Sequence, residues 1–270
     1  DSVLQETVIC PYNQPEMAKN LIEKHSSELA AIIVEPVLGS MGMIPATREF
    51  LQALRDAATA NGIILIFDEV ISLRINHGGA QRFFGVTPDL TCMGKIIGGG
   101  LPVGGVGGRT DLMQLFSPDS PSPVVHASTF SGNALTMSAG LPAMQAFNED
   151  ECNRINVLAD RLREGFNQAF TQAGILGNAS GIGSLTNINF TNGPLNDSRD
   201  FLDGLIVSKH IGQLLHLGML RHGVMSASRL MFCTSTAMSD REIEKAVAAL
   251  QATLDELKPF VENECPELIA

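Results

Sequence analysis

The chain has 270 residues, of which 44% are hydrophobic and 17% are charged, a composition typical of a globular protein and not of a disordered one. Its formal net charge of −11 disfavours nucleic acid and anionic membrane surfaces as partners. The sequence contains no apolar run approaching the roughly 20 residues that a membrane-spanning helix needs.

The first third of the chain predicts a strand–helix–strand arrangement. Asn13 is expected to cap an opening helix. The apolar run over residues 29–34 predicts a strand that is covered on both faces. A helix capped by Thr47 follows, and residues 63–67 form the next buried strand. Short joins between these elements predict a βαβ unit and therefore a largely parallel sheet.

Three polar residues follow apolar runs that are predicted to be strands. Glu35 and Asp68 come directly after the first two runs, and Lys95 comes after a third. In open α/β sheets, ligands bind outside the carboxyl ends of the strands, so we expect these side chains to meet at one edge. The sequence therefore predicts a ligand site there.

Lys95 is the most informative of the three, because seven glycines follow it between residues 98 and 108. Burial lowers the pKa of an ammonium group and leaves its amine able to attack carbonyl carbons. The alternative is a structural lysine whose ammonium group reaches solvent from the end of a strand. We expect Lys95 to be buried among four apolar neighbours, Leu90, Met93, Ile96 and Ile97.

Two nucleotide-binding motifs are excluded by the residues around this lysine. A P-loop requires Ser or Thr directly after the lysine and a glycine five positions before Gly94, but these positions hold Ile96 and Asp89. The dinucleotide fingerprint G-x-G-x-x-G does not occur in the glycine tract.

The second half of the chain predicts a smaller α+β lobe. A Pro/Ser loop at 117–123 and a polar turn at 127–133 precede it, the turn leading into a helix. The elements predicted for the lobe are a helix near 153–171, a strand at 182–190, a helix at 201–221, a strand at 230–233 and a helix at 240–257. We expect 1–147 to form a large domain and 148–270 a small C-terminal domain.

Cysteine and histidine usage bears on location and on metals. The cysteines are odd in number and lack C-x-x-C spacing, which favours reduced thiols in a cytoplasmic protein; they are Cys10, Cys92, Cys152, Cys233 and Cys265. We expect no metal site, because no H-E-x-x-H occurs and no ligand spacing is found among His77, His126, His210, His216 and His222.

Three segments carry a resemblance to a known family. Phe67-Asp68-Glu69-Val70, the stretch HGGAQRFFGVTPDLTCMGKIIGGGLPVGGVGGR and the stretch ASTFSGNALTMSAG resemble class III aminotransferases, in the branch of glutamate-1-semialdehyde aminomutase and the β-amino-acid transaminases. The resemblance covers nearly the whole chain and is densest from Ala31 to Gly140. It implies a pyridoxal 5'-phosphate (PLP)-dependent protein of fold type I, a mostly parallel sheet flanked by helices plus a small α+β C-terminal lobe. We expect the N-terminal part of the family fold to be missing from this sequence.

The resemblance also implies roles for individual residues. Lys95 would form the Schiff base with PLP, and Asp68 would hold the pyridine nitrogen protonated. Val70 resembles the residue that packs on the ring face, while Glu69 is expected to be structural. The alternative for Asp68 is a strand-end carboxylate satisfied by backbone N–H groups.

Thr129 resembles the family threonine that donates to the cofactor phosphate of the neighbouring subunit, which implies a homodimer with shared active sites. We expect Thr129 at a helix start, where N–H groups favour an anion. The alternative is a helix-entry hydroxyl, a role that Ser128 or Ser131 could also fill.

Arg229 is the candidate for binding a substrate carboxylate, with a surface ion pair as the alternative. Ornithine-type relatives carry a glutamate where this chain has Ser40 and an arginine where it has Met231. The implied activity is transfer of an amino group from an amino acid, possibly a β-amino acid, or an amine to a keto acid. The alternatives are a glutamate-1-semialdehyde-type 2,1-aminomutase and a catalytically inactive binding homologue.

Overall fold

The structure is a computed structural model that describes residues 2–191, 193–207 and 210–270. The chain folds into two compact units. The first unit comprises Asp1–Pro36 and Ala46–Asn148, and the second comprises Val37–Pro45 and Glu149–Ala270. The expected large domain, 1–147, includes the short segment Val37–Pro45. In the structure this segment belongs with the C-terminal unit.

The strands of the described part of the chain are β1 (Ala31–Val34), β2 (Val37–Leu38), β3 (Ile44–Pro45), β4 (Ile64–Asp68), β5 (Leu90–Gly94), β6 (Gly104–Gly108), β7 (Asn178–Ser180), β8 (Leu185–Asn189) and β9 (Met231–Cys233). The α-helices are α1 (Ser2–Gln5), α2 (Pro15–Lys24), α3 (Arg48–Asn61), α4 (Gly79–Phe84), α5 (Thr110–Met113), α6 (Ala134–Ala146), α7 (Glu149–Ala173), α8 (Ser198–Val207), α9 (Ile211–Arg221) and α10 (Asp240–Glu264).

The sheet of the first unit has the strand order β1-β4-β5-β6. The pairs β1–β4 and β4–β5 are parallel, and β6 runs antiparallel to β5. The prediction of a largely parallel α/β sheet is therefore confirmed. In the register of β4 and β5, Asp68 is the partner of Cys92, so β5 continues past the end of β4 to Gly94.

Strand β1 differs from its prediction. The apolar run predicted a strand covered on both faces, but Ile33 is 65% exposed while Ile32 and Val34 are half-buried. Helix α3 packs against β1 and β4, and side chains alternate between the two faces of a strand. One face of β1 is therefore covered by α3, and no described residue covers the opposite face, where Ile33 lies.

Of the two helix N-caps predicted in the first unit, the structure confirms the cap of α3 and not the cap of α2. Thr47 caps α3 as expected, accepting from the Phe50 N–H at 3.1 Å, and Gly62 ends the helix in the left-handed conformation. Asn13 does not cap α2, because the N-cap position is Gln14. The Asn13 side chain instead accepts a hydrogen bond from the Thr47 N–H at 2.8 Å, which ties the start of α2 to the start of α3.

The second unit is a three-stranded antiparallel sheet, β7-β8-β9, packed with long helices. Its core contains Phe166, Phe170, Leu215 and Leu250, each 0–1% exposed. The predicted helix over 201–221 corresponds to α8 and α9, and its middle, residues 208 and 209, lies outside the described residues. Among the helices of the described ranges, none combines the length and apolar character needed to cross a membrane.

Candidate active site

Lys95 lies directly beyond the carboxyl end of β5 and begins a short 3-10 turn that runs to Gly98. Its backbone is left-handed, with φ 47°. A residue with a Cβ atom adopts this conformation at a cost of roughly 1–2 kcal/mol, so local backbone preference does not explain a lysine here. Within the described part of the chain, the ammonium group has no hydrogen-bond or ion-pair partner.

The expectation that Lys95 is buried is wrong for this chain, because the side chain is exposed. The four apolar neighbours named above are only partly buried. The physical reason lies in β6, the next strand of the sheet, whose sequence is GGVGG. Four glycines provide no side chains to cover β5 and the turn that follows it.

Asp68 ends β4, beside the strand that leads to Lys95. Its Oδ1 accepts a hydrogen bond from the Val70 N–H at 3.0 Å. Its second carboxylate oxygen has no partner among the described residues, so the backbone satisfies only half of this half-buried group. Burial, and then the negative charge of Asp68, raise the pKa of the neighbouring Cys92 thiol. Asp68 therefore presents an available acceptor at the sheet edge.

Val70 packs against Gly94, the last residue of β5. A Cβ atom built on Gly94 would lie 3.2 Å from Val70 Cγ1 and 3.4 Å from the Val103 carbonyl oxygen. The end of β4 and the end of β5 thus bring Asp68, Val70 and Lys95 to the same edge of the sheet.

Glu69 contacts the start of α4 and not the candidate site. It is fully buried and accepts hydrogen bonds from the Ala80 N–H, and from the Gln81 N–H and side-chain amide at 3.3 Å each. Burial raises the pKa of the Glu69 carboxyl group, while these hydrogen bonds oppose the rise. Gly79, with φ 76°, leaves room for the carboxylate, since a Cβ atom there would lie 2.7 Å from Glu69 Oε2. The contacts of Glu69 are those of a structural residue.

Asp89 is a structural residue that no motif in the sequence predicts. Its Oδ2 accepts from the Leu65 N–H at 2.7 Å and from Arg55 at 2.9 Å, and its Oδ1 accepts from Arg109 at 3.0 Å. Burial alone would raise the pKa of this carboxyl group, but these hydrogen bonds and the Arg55 charge together lower it. The carboxylate ties α3, β4 and the end of β6 to the start of β5. The only sequence signal is an acidic residue directly before an apolar run.

Thr129 lies in an exposed turn, five residues before α6 begins. The expectation of a helix start at Thr129 is therefore wrong, and neither Ser128 nor Ser131 caps the helix. Asn133 is the N-cap, and its Oδ1 accepts from the Leu135 N–H at 3.0 Å and the Thr136 N–H at 3.2 Å. Ser128 and Ser131 hydrogen-bond to each other within the turn instead.

Arg229 belongs to the second unit, where it lines a cavity of about 370 Å³. It sits in a turn closed by the Leu230 N–H donating to the Ala227 carbonyl at 2.8 Å, and Leu230 has φ 60°. The side chain of Arg229 is exposed and has no ion-pair or hydrogen-bond partner among the described residues. Apolar side chains such as Met41 and Phe201 line the same cavity, as does Ser40.

Comparisons with known proteins show which family this chain resembles. The sequence profile of the family described as aminotransferase class-III matches residues 5–254. The chain is 38% identical to a glutamate-1-semialdehyde 2,1-aminomutase of Clostridium novyi over 96% of its own length and 60% of that protein. It is 36% identical to the β-phenylalanine transaminase of Variovorax paradoxus over 90% of its own length and 55% of that protein.

A solved structure extends the comparison to the fold. The ω-transaminase from Sphaerobacter thermophilus superimposes with a TM-score of 0.87 at 41% identity, covering 94% of this chain and 58% of that one. The fold is therefore that of fold type I PLP-dependent transaminases. The chain spans about 60% of the length of the curated relatives that it matches. On the profile match and these identities, the chain belongs to the class III aminotransferase family.

Proposed function

We propose that this chain carries the cofactor lysine and the pyridine partner of a PLP-dependent aminotransferase, which moves an amino group from an amino acid or amine to a keto acid. The observation that carries the proposal is the placement of Lys95 and Asp68 at the carboxyl ends of adjacent parallel strands. Each has a polar group without a partner among the described residues. The first unit, Asp1–Pro36 with Ala46–Asn148, would form the cofactor domain, and the second unit would form the small C-terminal domain.

The chemistry of the residues at this edge suits PLP. An exposed amine can reach an aldehyde carbon, and a carboxylate oxygen without a partner can accept a hydrogen bond from a protonated ring nitrogen. Val70 offers an apolar surface beside them, and Gly94 adds no side chain that would fill the space. Asp68, Val70 and Lys95 would hold the cofactor ring, and Thr129 would donate to a phosphate oxygen.

When bound, PLP supplies an electron-poor ring that accepts the electrons left when the substrate Cα loses its proton. Lys95 acts as the base that takes this proton and as the acid that returns it. Asp68 keeps a proton on the ring nitrogen by a charge-assisted hydrogen bond. Arg229 holds the substrate carboxylate by a two-pronged pair, and the apolar lining of its cavity favours substrates with an apolar side chain.

A homodimer with shared active sites is part of the proposal. Thr129 is exposed, and the surrounding segment carries large apolar side chains in solvent: Val125 at 89% exposure, Phe130 at 78%, Leu135 at 70% and Leu141 at 64%. Exposed apolar surface of this extent marks an interaction site. We propose that a second copy of the chain covers it. The cysteines are odd in number and lack C-x-x-C spacing, which supports a reducing, cytoplasmic location.

An intramolecular 2,1-aminomutase is the second candidate, because the aminomutase of Clostridium novyi is 38% identical over 96% of this chain. Such an enzyme returns the amino group to the molecule that supplied it. A 15N-labelled amino donor incubated with an unlabelled keto acid separates the two activities. Label in the acceptor supports the transaminase, and label confined to the donor skeleton supports the aminomutase.

The cofactor assignment is tested by reconstitution with PLP, reduction with borohydride and mass spectrometry of the peptides. We expect the visible absorbance band of bound PLP, and a reduced adduct on the peptide that contains Lys95. Lys95→Ala should abolish the adduct. Attachment to another lysine, or the lack of any band, would contradict the assignment and favour a binding homologue without cofactor chemistry.

The role of Asp68 has its own test. Asp68→Asn should still bind PLP, because Lys95 remains, but a neutral amide stabilises a protonated ring poorly. We expect the rate at which the substrate Cα proton exchanges with deuterium to fall by about 10²–10³-fold, which corresponds to an activation barrier higher by about 3–4 kcal/mol. Unchanged exchange would assign Asp68 to a structural role.

A further inference from the structure

One wall of the cavity beside Arg229 is formed by a β-hairpin that lies far from Arg229 in the sequence. Strands β2 and β3 pair antiparallel, and the loop between them contributes Ser40 and Met41 to the cavity. Two consecutive residues of this loop, Gly42 at φ 85° and Met43 at φ 53°, have left-handed backbone. Glycine adopts this backbone readily, but Met43 carries a Cβ atom, so its left-handed conformation is disfavoured and contacts from elsewhere must stabilise it.

A chain of hydrogen bonds from the second-unit sheet ends on this loop. The Ser180 hydroxyl donates to the Gly42 carbonyl oxygen and accepts from Asn189 Nδ2 at 2.7 Å. Asn189 Oδ1 in turn accepts from Asn187 Nδ2 at 2.8 Å. The register of β7 and β8 pairs Ser180 with Asn187, which places these polar groups side by side.

This arrangement is costly unless every group is satisfied. Asn187 is 1% exposed and Asn189 is 4% exposed, and burying an amide without hydrogen bonds costs roughly 1–3 kcal/mol by protein mutational data. Apolar residues at these positions of β8 would avoid the cost of burying amides. The chain of polar groups instead terminates on a backbone carbonyl outside the sheet, and a fully satisfied buried network selects one arrangement of the atoms that it joins.

Packing on the other side of the loop limits its movement. A Cβ atom on Gly42 would lie 2.8 Å from Phe201 Cδ2, 3.0 Å from Leu195 Cδ1 and 3.2 Å from Asn189 Oδ1. Phe201 and Asn189 both line the cavity, and so does Met41 next to Gly42. A shift of the Gly42 carbonyl would therefore change the shape of the cavity wall.

We propose that Ser180 and Asn189 are positioning residues that hold the Ser40–Gly42 loop and so set the size of side chain accepted beside Arg229. The inference rests on the proposed function, because it takes as ligand a carboxylate that carries an apolar group. Neither residue takes part in the chemistry of amino transfer.

The test measures binding by calorimetry to the full chain, with 3-phenylpropionate as a large carboxylate and propionate as a small one. The wild type should prefer 3-phenylpropionate. Ser180→Ala removes one neutral hydrogen bond to Gly42, so we expect this preference to fall by about three- to tenfold. Asn189→Ala should also lower the preference, but Asn189 itself lines the cavity, so Ser180→Ala is the variant that isolates the effect of the loop. Ser180→Thr keeps a hydroxyl group at this position, and threonine is well tolerated in a β-strand, so this variant should retain the preference for 3-phenylpropionate.

Thr186→Val is the matched control. Thr186 is a buried polar residue of β8 that accepts a hydrogen bond from Arg163 at 3.2 Å. It alternates with Asn187 along β8, so its side chain lies on the opposite face of the strand from Asn187 and Asn189. We expect it to lower the melting temperature while leaving the preference between the two carboxylates within about twofold. An unchanged preference in Ser180→Ala, an equal loss for both ligands, or a wild type that binds neither would overturn the inference.

The results of this experiment can be distinguished from those that test the proposed function. A chain that forms no PLP adduct at Lys95, yet shows a Ser180-dependent preference, would reject the proposed function and retain the positioning role. A chain that transaminates amino acids, yet keeps its preference in Ser180→Ala and Asn189→Ala, would retain the function and reject the positioning role.

Discussion

The side chain of Val70 rests on the backbone of Gly94, so the residue proposed to face the cofactor ring also fixes the residue before Lys95. The contact leaves little space, because a Cβ atom on Gly94 would lie 3.2 Å from Val70 Cγ1. The backbone of Gly94 is extended, with φ −170°, a conformation open to any residue. Glycine at this position therefore matters for the close approach of Val70 and not for its dihedral freedom.

This relationship predicts a coupled pair of substitutions. Gly94→Ala should lower the free energy of unfolding by about 1–3 kcal/mol, because the new methyl group overpacks the contact with Val70. The double variant Val70→Ala/Gly94→Ala should recover much of this loss relative to Val70→Ala alone. Urea denaturation of the four proteins in the cycle measures the coupling. Strictly additive losses would show that the two residues do not restrain each other.

Lys95 predicts a trade between stability and function. Its left-handed backbone strains any residue with a Cβ atom, so Lys95→Gly should be as stable as Lys95→Ala or more stable, by up to about 1 kcal/mol. Both variants should fail to form the borohydride-stable adduct with PLP. Thermal unfolding without cofactor makes the comparison. A Lys95→Gly protein clearly less stable than Lys95→Ala would argue against backbone strain at this position.

Asp89 predicts a pH dependence of stability. Its folded-state pKa lies below the unfolded value of about 3.9, so its ionised form stabilises the fold. That contribution is present above the unfolded pKa and is lost as pH falls through the folded pKa. Asp89→Asn should therefore destabilise the protein by a constant amount above about pH 5, and the difference should shrink towards more acidic pH.

Urea denaturation of wild type and Asp89→Asn between about pH 3 and pH 7 measures this difference. Asp111→Asn is the control, because Asp111 also pairs with Arg109 but is exposed, and exposed ion pairs contribute little. A difference between wild type and Asp89→Asn that does not change with pH would contradict the predicted ionisation.

Arg229 predicts a split between substrate classes. If it holds a carboxylate by a bidentate pair, Arg229→Ala should raise the KM for amino acids by about ten- to a hundredfold and leave simple amines nearly unchanged. Arg229→Lys keeps the charge without the planar fork and should lie between wild type and Arg229→Ala. Equal losses for amino acids and amines would indicate a structural role for Arg229.

The shared active site predicts complementation. Lys95→Ala and a Thr129→Ala variant weakened in cofactor binding are mixed, unfolded and refolded together. In a mixed dimer, one site combines Lys95 with an intact Thr129 from the other subunit, while the other site carries both defects. We expect cofactor affinity to be regained in the mixture. A monomer that binds PLP at full strength would rule out the shared site.

Elements whose signals are local could be predicted from the residues alone. The βαβ order, the capping of α3 by Thr47 and the delivery of Asp68 and Lys95 to one sheet edge follow from apolar periodicity, cap residues and the direction of parallel strands. The strand and cap signals lie within a few positions of each other, and the shared location of Asp68 and Lys95 then follows from the rule that parallel strands end at the same side of a sheet.

Features that depend on long-range contacts are fixed only in the folded chain. Asn13 has the chemistry of a cap but bonds to Thr47, and Asp89 joins Leu65 to two arginines, because these partners meet only after folding. Exposure is decided in the same way. Lys95 follows an apolar run that predicts burial, but the glycines of β6 leave it open, since burial depends on what a neighbouring strand can place over a residue.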